Sequence, residues 1–89
     1  MKTMHVKITG KVQGVSYRAY AQKTAIQFGL TGWVKNNDDG SVELVMTGDE
    51  SKTEAMLHWC NKGPVLARVD KVEVEEISLE KFSTFEIRR

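Results

Sequence analysis

Cysteine and proline each occur once in the 89 residues, as Cys60 and Pro64. A lone cysteine cannot close an internal disulfide, so nothing calls for an oxidising compartment and the expected location is the reduced cytoplasm. It also leaves no paired thiolates for a C-x-x-C metal carrier. Long apolar runs are missing: no window approaches the roughly 18 residues of a membrane span. The opening Met1-Lys2-Thr3-Met4-His5 leads into alternating residues instead of the apolar core of a signal peptide. Excess charge of either sign is absent as well, with 13 Lys and Arg against 12 Asp and Glu for a net +1. Without a global field to hold nucleic acid or anionic lipid, recognition of an anion has to be local. Aromatic residues are few, and Ser41-Val42-Glu43-Leu44-Val45-Met46 has none, whereas a sheet that stacks RNA bases carries them on its central strands. The expected partner is a small anionic molecule, with no nucleic acid and no membrane.

What remains is a chain of 40% apolar and 28% charged residues, which fits one domain over residues 1–89, near the small end of what buries a core unaided. Met4, Val6 and Ile8 alternate with polar residues and predict a first strand ending at Gly10. Ser16 is the expected N-cap of a helix from Tyr17 to Phe28, with Tyr17, Ala21, Ala25 and Phe28 on one face and Gly29 beyond its end. Strands are predicted over Thr31–Asn36 and Ser41–Gly48, joined by Asn37-Asp38-Asp39-Gly40, residues that tolerate the positive φ of a tight hairpin. Asp49 is expected to cap a second helix to Lys62 that buries Met56, Trp59 and Cys60, stopped by Gly63-Pro64. Val69–Ile77 reads as a fourth strand with Glu73, Glu75 and Glu76 on its solvated side, and Phe82–Arg88 as a short fifth at the edge, with Phe85 and Ile87 inward. The order strand, helix, strand, strand, helix, strand predicts an α+β ferredoxin-like α/β sandwich, βαββαβ, with two helices on one face of an antiparallel sheet. That fold hosts many activities, so the site has to decide the function.

The chemistry concentrates in Gly10-Lys11-Val12-Gln13-Gly14-Val15-Ser16-Tyr17-Arg18, a strand entering a glycine-punctuated turn that opens into a helix. Backbone N–H groups at a helix start lack intrahelical acceptors and the helix dipole adds partial positive charge, which together make a seat for phosphate. Arg18 at its rim can clamp phosphate oxygens with a planar, permanently charged fork. Each feature has a plainer reading when taken alone. The turn can be a mere connection, Asn36 a turn-former and Arg18 a solvated cation, although a cation at a helix start opposes the dipole. His5 and His58 lack metal-ligand spacing and are expected on the surface without function. Cys60 is expected to be a packing residue, and Lys35 and Arg68 are placed on the surface.

The two segments Gly10-x-Val12-Gln13-Gly14-Val15-x-Tyr17-Arg18 and Gly32-Trp33-Val34-Lys35-Asn36-x-x-x-Gly40-x-Val42, closing at Gly48, closely resemble the two signature motifs of the acylphosphatase family. Ser16-Tyr17 departs from the glycine and phenylalanine that many members carry, and Asn37 stands where some carry threonine. The resemblance covers essentially the whole chain. It implies hydrolysis of acyl phosphates to a carboxylate and inorganic phosphate, with Arg18 and Asn36 catalytic and Gln13, Gly14, Val15, Ser16, Tyr17 and Arg18 binding phosphate. Asn36 would orient the attacking water through its carbonyl oxygen. The anhydride already has a good leaving group, so no metal and no cofactor are expected. The alternative is a regulatory domain that binds phosphate or carbamoyl phosphate with negligible turnover. A similar domain also occurs fused within larger maturation enzymes that handle carbamoyl phosphate; a chain with one domain favours the free-standing hydrolase. No motif reads the acyl end, so broad substrate tolerance is expected, and a monomer is the default state.

Overall fold

The computed structural model describes residues 1–89. Its elements are β1 (Lys2–Lys11), α1 (Tyr17–Gln27), β2 (Thr31–Asn36), β3 (Val42–Gly48), α2 (Glu50–Lys62), β4 (Arg68–Ile77) and β5 (Phe85–Arg88). The sheet order is β4-β1-β3-β2-β5. β1 pairs antiparallel with β3 and β4, and β2 antiparallel with β3. This is the ferredoxin-like α+β arrangement expected from the element order.

One face of the sheet is built from every second residue, as the period of a strand dictates. Met4 opposes Met46, Val6 opposes Leu44 and Ile8 opposes Val42, while Val34 meets Leu44 from the other side. All seven are buried, and the helices cover them with Tyr17, Ala21 and Ala25 from α1 and Thr53, Met56 and Cys60 from α2. Removing one such aliphatic side chain from water is worth about 1.5–3 kcal/mol, so this layer carries most of the fold. The end of α1 is locked by a Schellman motif: Leu30 N–H donates to Ala25 O at 2.9 Å and Gly29 N–H to Ile26 O at 3.0 Å, with Gly29 at φ 72°. The opposite face carries His5, Lys7, Trp33, Lys35 and Glu43, with His5 Nε2 2.6 Å from Glu43 Oε2. His5 is therefore half-buried and hydrogen-bonded, not simply a surface residue.

Five expectations need correction. The sheet is mixed, because β5 runs parallel to β2, Gly32 against Phe85 through Lys35 against Arg88. β5 is also shorter than expected, starting at Phe85. Phe85 is buried beneath α1, but Ile87, two residues on, is 39% exposed, since it lies where the helix no longer covers the edge strand. Trp59 is only partly buried and packs its ring against Tyr17, centroids 5.1 Å apart. Asp49 occupies the N-cap of α2, yet its side chain makes no cap bond; its carbonyl accepts from Lys52 and Thr53 N–H at 3.0 and 2.9 Å.

Candidate active site

β1 delivers the chain to the start of α1 through Val12–Ser16, and this connection has an unusual backbone. Gly14 and Ser16 both lie in the left-handed region, at φ 74° and φ 63°, while Val15 between them does not. Alternation of that kind turns successive N–H groups toward one concave side, an anion-binding nest. None of the amides from Gly14 to Ala19 has a backbone acceptor; the first to find one is Tyr20, on Ser16 O at 3.1 Å. Ser16 stands at the N-cap, but its side chain makes no cap bond. The left-handed backbone turns the hydroxyl away from the N–H groups that a cap in the usual extended conformation would reach.

The nest opens into a cleft of about 460 Å³ whose walls also include Arg18, Asn36, Ile87 and Arg89, and no acidic side chain. The guanidinium of Arg18 has no carboxylate in ion-pair range. Its Nη1 instead donates to the main-chain carbonyl of Arg88, 3.3 Å away, which holds the fork over the cleft. Arg88 in turn lies over the Trp33 ring, 4.9 Å from the centroid, so the last strand is held by side chains of both α1 and β2. Two arginines and a row of free amides, with no acidic side chain among the lining residues, give the cleft its donors.

Asn36 ends β2 at the cleft wall. Its Oδ1 is buried and has no hydrogen-bond partner, a condition rare in folded proteins and costly by about 1–3 kcal/mol. Its neighbour Asn37 is occupied elsewhere: Nδ2 donates to Ser41 Oγ at 2.9 Å and the carbonyl accepts from Gln13. Asn36 is thus the carboxamide left free.

Six residues were expected to hold phosphate, and the structure divides them. Gly14, Val15 and Ser16 form the nest itself. Arg18 presents a side chain to the cleft. Gln13 sends its side chain away, its Nε2 donating to the carbonyls of Asn37 and Ser41 at 2.8 and 2.9 Å, where it clamps the nest to the β2–β3 hairpin. Tyr17 buries its ring in the core and its hydroxyl donates to Cys60 O at 2.8 Å, so only its backbone can face a ligand. Burial pushes the Tyr17 hydroxyl pKa far above its ordinary value. Arg18 and Asn36, 18 residues apart in sequence, are brought to one cleft.

The acylphosphatase family model matches residues 4–87. An acylphosphatase of Methylococcus capsulatus is 49% identical over all of this chain and 98% of its own length. This chain belongs to the acylphosphatase family. Among solved structures, an acylphosphatase from Coxiella burnetii superposes with a TM-score of 0.95 at 42% identity, covering 98% of this chain and 92% of that one. One from Bacillus subtilis superposes with a TM-score of 0.97 at 34% identity over all of both chains. Beyond the residues that the acylphosphatase motifs marked, the cleft includes Ile87 and Arg89. No motif announced them, because they reach the site only through the parallel pairing of β5 with β2.

Proposed function

We infer that this chain is an acylphosphatase, one domain over residues 1–89 that hydrolyses the carboxyl–phosphate anhydride of small acyl phosphates to a carboxylate and inorganic phosphate. Arg18 and the amides of the nest hold the phosphoryl oxygens and stabilise the charge that gathers on them as the bond to the acyl oxygen weakens. Asn36 orients the attacking water. In the rotamer present, Oδ1 is the shielded end and Nδ2 the free one, so Nδ2 donates to one lone pair of the water and leaves the other for phosphorus. A half-turn of the carboxamide is nearly isosteric and offers Oδ1 to a water proton instead, the arrangement expected from sequence. Either way its role is positioning, since an amide is too weak a base to take the proton, which passes to a phosphate oxygen. The water oxygen bonds to phosphorus, the P–O bond to the acyl group breaks, and the acyl group departs as its carboxylate, a leaving group that needs no metal. A monomer working in the cytoplasm fits the balanced charge and the lone buried cysteine.

The observation that carries this reading is the free Asn36 carboxamide beside an unoccupied row of amides and an unpaired arginine. Benzoyl phosphate hydrolysis in excess EDTA tests it. The native chain is expected to turn over and to be inhibited by inorganic phosphate. Asn36→Ala should keep phosphate inhibition and lose roughly 10²-fold or more in kcat, whereas Arg18→Ala should lose both. A folded native chain that binds phosphate but turns over no acyl phosphate would establish the regulatory binding domain instead.

A further inference from the structure

Beside the nest, with walls that do not include Asn36, lies a second hollow of about 570 Å³. It is walled by Tyr20 of α1, Trp59 and Lys62 of α2, and Pro64, Val65 and Leu66 of the connection to β4. Gly14 and Ser16 line both this hollow and the phosphate cleft, so the two border each other at the nest. Several of its apolar side chains are uncovered: Val65 is 99% exposed, Leu66 72% and Tyr20 50%. Exposed large apolar residues gathered into one concavity mark a binding site more often than scattered ones do. The size lies within the roughly 300–1,000 Å³ of small-molecule sites.

We propose that this groove receives the acyl part of the substrate and makes the enzyme prefer apolar acyl groups, aromatic or branched, over acetyl. The proposal rests on the acylphosphatase reading of the adjoining cleft. A single bridging oxygen joins the acyl carbon to phosphorus, so whatever binds the acyl group must border the nest, and the groove shares two residues with it. Direction agrees as well. In-line displacement sends the leaving carboxylate away from the attacking water, and the groove contains none of Asn36, Ile87 or Arg89. The Trp59 and Tyr20 rings offer flat apolar surface, while Val65 and Leu66 project into solvent where a bound acyl group would cover them. The substrate tolerance expected from sequence then becomes a graded preference.

The test compares kcat/KM for benzoyl phosphate and acetyl phosphate in the native chain, in the double variant Val65→Ser with Leu66→Ser, and in Tyr20→Ser. These residues are exposed, so the variants should fold. Dividing one substrate by the other, and the variant by the native chain, cancels both intrinsic reactivity and any general loss. The benzoyl-to-acetyl ratio is expected to fall roughly tenfold in the double variant, the scale on which a hydrophobic subsite discriminates, with the loss mainly in KM. A native chain active on both compounds whose double variant and Tyr20→Ser both keep the native ratio overturns the subsite alone. A native chain that turns over neither compound overturns the activity, and the subsite with it.

Discussion

Ser16 is the one residue other than glycine with positive φ, at 63°. An L-residue pays about 1–2 kcal/mol for that conformation, and the nest depends on it. The cost is tolerable for serine, whose short side chain is exposed here. A β-branched residue cannot adopt it without strain. Ser16→Val is therefore expected to lower unfolding stability by about 1–2 kcal/mol and to weaken phosphate inhibition, whereas Ser16→Gly should leave both near native values. Urea unfolding and phosphate inhibition of the two variants check this, and equal behaviour of the valine and glycine variants would rule out the backbone explanation. At this scale Gly14 and Ser16 were not equally readable. A glycine in a strand-to-helix turn signals positive φ directly, and a Cβ added to Gly14 would meet open space, so conformation alone selects it. A serine before a helix signals a side-chain cap, and nothing in its type reveals a left-handed backbone.

β5 reaches the cleft by way of the segment 78–84, which is pinned over the face of the sheet opposite the helices. Thr3 and Thr47, both buried, face each other across β1 and β3 with their hydroxyl oxygens 2.7 Å apart. Thr47 Oγ1 donates to Glu80 O at 2.7 Å, and Glu80 N–H donates to Thr3 Oγ1 at 2.9 Å. Thr47→Val keeps the shape but removes the hydroxyl, leaving the Glu80 carbonyl only the longer bond from Thr3 Oγ1 at 3.3 Å. The expected loss is about 1–3 kcal/mol in urea unfolding, with benzoyl phosphate KM rising as β5, and with it Ile87, loosens. An unchanged unfolding midpoint would show that the network contributes nothing. The β2–β3 hairpin, by contrast, was plain in the sequence. Asn37 to Gly40 connect two alternating runs, and Asp39 sits where it accepts from Ser41 Oγ and N–H at 2.6 and 3.0 Å. Those Ser41 hydrogen bonds, with help from Lys7, hold the Asp39 carboxyl well below its usual range. β5 could not be read as well, because four alternating residues state which side faces the core but not which strand they join or in which direction.

The whole molecule assembles the cleft from chain segments far apart: the nest after β1, the end of β2 and the end of β5 converge because β1 and β2 flank β3 and β5 adds outside β2. The two motifs were readable because each is local, a turn and a hairpin, whereas the groove draws Tyr20, Trp59 and Leu66 from three segments whose meeting depends on helix packing. That same packing buries Cys60 and Tyr17 against each other, with consequences for stability at high pH. Burial pushes the Cys60 thiol from its ordinary 9.0 up to about 12, and holds the Tyr17 hydroxyl far above its ordinary 10.0. Both groups stay neutral on each side of the unfolding equilibrium below pH 9. Above it the unfolded chain sheds the thiol proton while the folded chain retains it, so stability falls with pH. The slope approaches about 1.4 kcal/mol per pH unit for each such group. Between pH 9 and 10 the decline belongs to Cys60, and above pH 10 Tyr17 adds to it until the folded thiol itself ionises near 12. Urea unfolding at pH 8.5, 9.5 and 10.5 should show the native decline steepening across that range. Cys60→Ala is less stable throughout because it leaves a cavity, but its curve should be flatter between pH 9 and 10. A variant that declines as steeply as the native chain there would mean that the thiol is not shielded in the folded protein.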